Sequence, residues 1–244
     1  MLREFESPIG EVVAAATTGF MAQVIRVPRP DEVVPVPDPP PFGAFVRVGP
    51  LPDGDGVAPP DDFDPFEAAP PASEDPDAPV TLYAVVCQAE IGALEGSGRP
   101  LTAFGLDEDE LRQQQPQIFE LLTARFTAIL VAYAAVPDGE VRPFLPPRPP
   151  RPHARVFRCS DAETVRLTAQ LDYLRPLLLG AGGVLGVTFP QDELVAALLR
   201  GAVRAHRRAG GNADAFLERA GRELASLLSG DYDRLRAIIR RVVA

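Results

Sequence analysis

The sequence predicts an α+β protein: a small N-terminal β-barrel of about six strands with a helical insertion, followed by a C-terminal helical bundle. Up to residue 145 the apolar residues come in short runs separated by turn-forming residues, the pattern of strands. From Ser160 onward they recur at helical spacing behind capping residues. Between the two patterns lies Pro143 to Pro152, Pro-Phe-Leu-Pro-Pro-Arg-Pro-Pro-Arg-Pro, a stiff extended stretch. It divides the chain into a barrel domain, residues 1–148, and a helical domain, residues 149–244.

Each barrel element has its own signal. Ile9 to Thr18 and Gly19 to Val27 predict two strands joined by a short turn. Phe42 to Gly49 predicts a third, entered from the Pro39-Pro40-Pro41 run, and Thr81 to Ala89 a fourth. Residues 50–79 hold nine prolines and nine acids with no arginine. Such a stretch cannot bury enough apolar surface to offset the entropy of ordering, so we expect a disordered acidic loop there. Leu106 to Leu111 opens the helical insertion, with Asp107 as N-cap and Glu110 closing a capping box, and Pro116 breaks or restarts it. Ile118, Phe119, Leu121 and Leu122 supply its apolar face. Phe126 to Tyr133 predicts the fifth strand and Val141 to Leu145 the sixth.

In the second half, Ser160-Asp161-Ala162-Glu163 is another capping box, opening a helix expected to reach Leu179. Gly180 to Gly186 follows a helix rather than a strand, and no Gly-Lys-Ser/Thr ends it. It predicts an interhelix turn, not a phosphate loop. Gln191 to Arg208 predicts a second helix ended by Gly210-Gly211, Asn212 caps a third running to Gly230, and Asp231 to Val243 forms a short fourth. On the third, Phe216, Leu217, Ala220, Leu224, Leu227 and Leu228 fall within an arc of about 120°, which makes that stripe core.

Composition narrows the chemistry. Every one of the 24 basic side chains is arginine. Without lysine there is no P-loop lysine, no Schiff-base nucleophile and no lysine general base. Two cysteines far apart in sequence, Cys87 and Cys159, make neither a disulfide framework nor a metal site and point to a reducing compartment; histidine is nearly absent, at His153 and His206 alone. Glu4 and Glu6 stand where a signal peptide needs a basic flank. No apolar run approaches the roughly 18 residues of a membrane helix. We expect a cytoplasmic protein with no membrane attachment, metal or cofactor.

The charge is unevenly placed. Residues 1–110 carry 5 arginines and 21 acids, a net −16, whereas 111–244 carry 19 arginines and 13 acids, a net +6. The two halves therefore face different surroundings. On the second C-terminal helix, Leu194, Val195, Leu198, Leu199, Ala202 and Val203 take one side of the wheel, with His206 among them as a core or boundary residue. Arg200, Arg204, Arg207 and Arg208 gather within about 100° on the other side. Such a face holds phosphates or a partner's carboxylates, or is simply solvated. Arg234, Arg236, Arg240 and Arg241 extend the basic character without sharing a face.

Other clusters have plainer explanations. Ser160, beside Cys159 and Asp161 and near His153, is accounted for as a helix cap, and both cysteines suit buried positions. Asp107 to Glu110 are the acids that a helix N-terminus favours. No catalytic or metal-binding residue is assigned.

Ile9-Gly10-Glu11-Val12-Val13, then Pro41-Phe42-Gly43 entering Phe45-Val46-Arg47-Val48, then Leu82-Tyr83-Ala84-Val85-Val86 form a combination that resembles the HAS-barrel. This is the barrel shared by HerA-type DNA translocases and rotary ATP synthases. Leu111-Arg112-Gln113-Gln114-Gln115-Pro116-Gln117-Ile118-Phe119 and Leu145-Pro146-Pro147-Arg148-Pro149-Pro150 resemble a stand-alone bacterial version, and the similarity spans most of the chain outside 50–79. The resemblance implies a docking platform without a motor, since no Walker lysine exists in this chain. The expectation is a non-catalytic docking or assembly module that binds a protein partner, with Arg200, Arg204, Arg207 and Arg208 as the contact face. A nucleic-acid-binding accessory in DNA repair or processing, acting through the basic C-terminal half, is the alternative. Homo-oligomerisation stays open.

Overall fold

A computed structural model describes residues 7–26, 36–51, 80–93, 105–135, 139–180 and 182–243. β1 (Gly10–Ala16) and β2 (Gly19–Val24) form a hairpin about Thr17-Thr18, and β3 is Phe45–Val48. β4 (Val80–Ala93) and β5 (Leu122–Ala135) are long partners, followed by β6 (Val141–Arg142) and β7 (Arg155–Arg158). All pairings are antiparallel, and the order β1–β2–β5–β4–β3–β7 returns to β1, so six strands close a barrel. Closure removes the free edges that an open sheet would expose.

The sixth stave differs from expectation. Val141–Arg142 pairs with β5 and stands outside the ring, whereas β7 fills the gap between β1 and β3. The prolines at 143, 146, 147, 149, 150 and 152 have no N–H to donate to a ladder, so that stretch cannot itself be a stave. It carries the chain across to β7, whose Val156 carbonyl accepts from Ile9 N at 2.8 Å. The ring is thus completed by residues beyond the boundary expected at 148.

Period-two alternation sorts the barrel side chains. Phe20, Val46, Leu82, Ala84, Phe126 and Val156 fill the interior, where Phe20 and Phe126 meet edge to face at 6.4 Å. Their neighbours Phe45, Tyr83, Val85 and Ala132 point outward yet are also buried, because helices cover that wall.

Seven helices occur among the described residues. α1 (Glu108–Gln114) and α2 (Gln117–Glu120) lie between β4 and β5. The Asp107 capping box forms: Glu110 N donates to Asp107 Oδ1 at 2.8 Å and Asp107 N to Glu110 Oε2 at 3.2 Å. Pro116 restarts the helix as α2. The expected apolar face divides there, with Phe119 buried, Leu121 exposed and Leu122 already in β5.

The helix expected from Ser160 to Leu179 is two, α3 (Asp161–Leu167) and α4 (Leu174–Leu179). Pro176 explains the break: a continuous helix would lose its N–H bond to residue 172, but a first turn tolerates proline. The glycine-rich turn holds a small hairpin, β8 (Gly183–Val184) with β9 (Val187–Thr188). Leu185 and Gly186, at φ 51° and 78°, make its primed turn. α5 (Gln191–Arg208), α6 (Ala213–Leu227) and α7 (Tyr232–Val243) follow the sequence expectation closely. On α6, Phe216, Ala220, Leu224 and Leu228 are buried, with Leu217 and Leu227 packed beside them.

One core joins the barrel wall to the helices, running from Phe45, Tyr83 and Val85 to Leu174, Leu194, Leu198 and Phe216. Contact is close where the chain enters β3. Gly43, at φ 80°, lies so near α5 that a Cβ would stand 2.7 Å from Leu198 N. The loop expected to be disordered over 50–79 falls, from residue 52, outside the described residues.

Candidate functional site

α5 carries the expected arginine face, and its amphipathicity sets its pose. Leu194, Leu198, Leu199 and Ala202 are buried, which turns the arginine side outward. The structure then divides the four. Arg200 is half-buried and its Nη1 donates to the Arg241 carbonyl at 2.5 Å, so it caps the C-terminal end of α7. Arg208 stands 3.9 Å from Asp161, a loose contact between partly exposed side chains. Arg204 and Arg207, one turn and nearly two beyond Arg200, are exposed and have no ion pair among the described residues.

α7 carries exposed arginines of its own. It runs beside α5 in the same sense: Arg234 Nε donates to Asp192 Oδ1 at 2.8 Å, and Arg241 Nε to Glu193 Oε1 at 2.5 Å. Those acids sit in the first turn of α5, where they also suit the helix dipole. Arg236 and Arg240 face outward, exposed, with no carboxylate partner among the described residues. Sequence reasoning gave these two no role. Their separation from the buried Ile238 on the helical wheel was the signal available. Four outward guanidiniums on two helices backed by core can hold carboxylates or phosphates by charge-assisted hydrogen bonds.

The remaining reactive groups are occupied structurally. His206 is buried, stacked on Phe216 at 4.5 Å, with Nε2 2.9 Å from Thr168 Oγ1. That hydroxyl has the Thr164 carbonyl to donate to at 2.8 Å, so it accepts from His206 Nε2–H. Burial, then the Arg219 charge, lowers the imidazole from its ordinary value. Burial pushes the Cys87 thiol up to about 12 and Cys159 well above the ordinary thiol range, so neither is a ready nucleophile.

Between the barrel and α3 lies a buried ion pair. Arg47 Nε and Glu163 Oε1 meet at 3.0 Å without hydrogen-bond alignment, and the Arg47 guanidinium lies over the Phe157 ring at 4.4 Å. Glu163 Oε2 accepts from Ser160 N at 2.8 Å, and Ser160 Oγ accepts from Glu163 N at 3.1 Å, so the residue predicted as a cap serves as one. Elsewhere on the barrel His153, exposed and at φ 67°, meets Glu11 at 2.7 Å. The hydrogen bond from His153 holds the Glu11 carboxyl below the usual range, opposed by desolvation and helped by the Arg155 charge.

Among the described residues no three His, Cys, Asp or Glu side chains converge as a metal site, and no helix is long and apolar enough to cross a membrane. No protein-family model and no curated protein sequence matches the chain.

Proposed function

We propose that this chain is a non-catalytic docking module of the HAS-barrel type that works in the cytoplasm and holds a macromolecular partner, in the first place a protein. The observation that carries the reading is the pair Arg204 and Arg207: exposed, without an ion pair among the described residues, on a helix whose opposite side is core. A side chain displayed on so firm a backing loses little additional backbone freedom on binding. The closed barrel supplies that backing through Gly43 and the outward-facing Phe45, Tyr83 and Val85. Arg208 belongs at the edge of the surface, its contact with Asp161 being weak, while Arg200 supports it from beneath by holding the end of α7.

The test is capture from native host extract by the wild-type chain and by the double variant R204E/R207E, compared by quantitative mass spectrometry. A specific partner should be retained by the wild type and depleted by the charge reversal. Undiminished capture by the variant removes these arginines from the account.

Nucleic acid is the second reading, favoured by the net +6 of residues 111–244. Phosphate contacts release counterions, so binding to labelled single- or double-stranded DNA should fall steeply with salt. Absence of binding even at low salt disposes of it.

A further inference from the structure

α7 is apolar on two sides. Its inward side, Leu235, Ile238 and Val242, packs into the shared core. Outward, Tyr232, Ile239 and Val243 are 72%, 39% and 64% exposed, where a surface helix ordinarily carries polar residues. They recur at steps of seven and four residues, with Arg236 and Arg240 along one side. At about 100° per residue they share a stripe about 40° wide. So narrow a stripe suits a helix–helix seam better than the broad apolar face with which a helix lies on a bilayer.

The charge beside the stripe has one dominant sign. α7 contains four arginines and one acid, Asp233. The arginines that face inward are matched, Arg234 with Asp192 and Arg241 with Glu193. Arg236 and Arg240 have no carboxylate among the described residues. A second copy of this chain would bring the same arginines against each other, so charge opposes self-pairing along this seam. The complementary surface is an apolar stripe flanked by acids.

We propose that α7 is the docking seam for an acidic amphipathic helix of a partner protein. The partner's apolar residues would interdigitate with Tyr232, Ile239 and Val243, and its flanking carboxylates would meet Arg236 and Arg240. The inference rests on the docking reading but uses none of its residues, so the two fail separately.

The probe is a synthetic helical peptide of about three heptads, with leucine at seam positions and glutamate beside them. It is titrated calorimetrically onto the full chain. The same peptide with lysine for glutamate, phosphatidylserine–phosphatidylcholine vesicles and a short duplex DNA serve as comparisons. The acidic peptide should bind, and I239E/V243E and R236E/R240E should each weaken it by roughly tenfold or more. R204E/R207E should leave peptide binding unchanged. Circular dichroism checks that the variants fold, and if I239E/V243E does not, R236E/R240E carries the test alone. Failure of the acidic peptide to bind overturns the proposal, as does equal binding of the lysine peptide. So does unaltered binding by the α7 variants, or loss of vesicle or DNA binding in those variants without any peptide binding. Peptide binding that is lost in R204E/R207E and kept in the α7 variants overturns this inference while leaving the docking reading intact.

Discussion

At pH 7 the imidazole of His206 is neutral, since burial and then the Arg219 guanidinium hold it below its ordinary value of 6.5. The unfolded chain therefore takes up this proton first on acidification. The stability linked to the neutral ring is whole above pH 6.5 and falls as the pH drops through and below that value, levelling off once the folded imidazole titrates. Urea midpoints of the wild type should fall between about pH 7.5 and about pH 5.5, and those of His206→Gln should fall less over the same window. Parallel falls in the two proteins would deny His206 this role. The burial of His206 was legible because its place on the α5 wheel is a local property. The same holds for the caps at Asp107 and Ser160, which involve residues three apart. The Arg47–Glu163 pair was not legible, because it joins residues far apart in sequence and exists only once α3 lies on β3. Arg200 is similar: the wheel put it with its neighbours on the polar side, and the arrival of α7 turned it into a helix cap.

Elements with strong periodicity or clear punctuation were found from sequence; those set by tertiary pairing were not. Five barrel strands and the last three helices lie where their patterns put them. β7 was missed because four residues with one interior side chain, Val156, give no period to read. Its identity as a stave comes from the gap that β1 and β3 leave. The break between α3 and α4 was readable, since Pro176 cannot sit deep in a helix, but the capping box at Ser160 and the apolar run to Leu179 masked it. Gly43 shows what an element junction demands. Its φ is positive, and a Cβ there would stand 2.7 Å from Leu198 N and from Ala197 Cβ, which leaves no room for a methyl group. Gly43→Ala should cost about 2 kcal/mol or more in chemical denaturation, combining left-handed strain with displacement of α5 from the barrel. A stability equal to wild type would mean that the barrel and α5 are not held together there.

For the whole molecule, the −16 and +6 halves of the sequence interleave, because β5 and β7 of the barrel come from the +6 half, and barrel and helices share one apolar core. Of the four-arginine face expected on α5, Arg204 and Arg207 are exposed and without an ion pair among the described residues, Arg208 is loosely held by Asp161, and Arg200 is engaged with α7. The docking site we propose therefore centres on the guanidiniums of Arg204 and Arg207. Charges at such a rim act with screened, salt-dependent strength, so salt is the direct probe of them. With the captured partner purified, its Kd should be measured against salt for the wild type and for R204E/R207E. At low salt the variant should bind roughly tenfold more weakly or worse, and its affinity should depend less steeply on salt. The same Kd and the same salt slope in both proteins would contradict the proposed site.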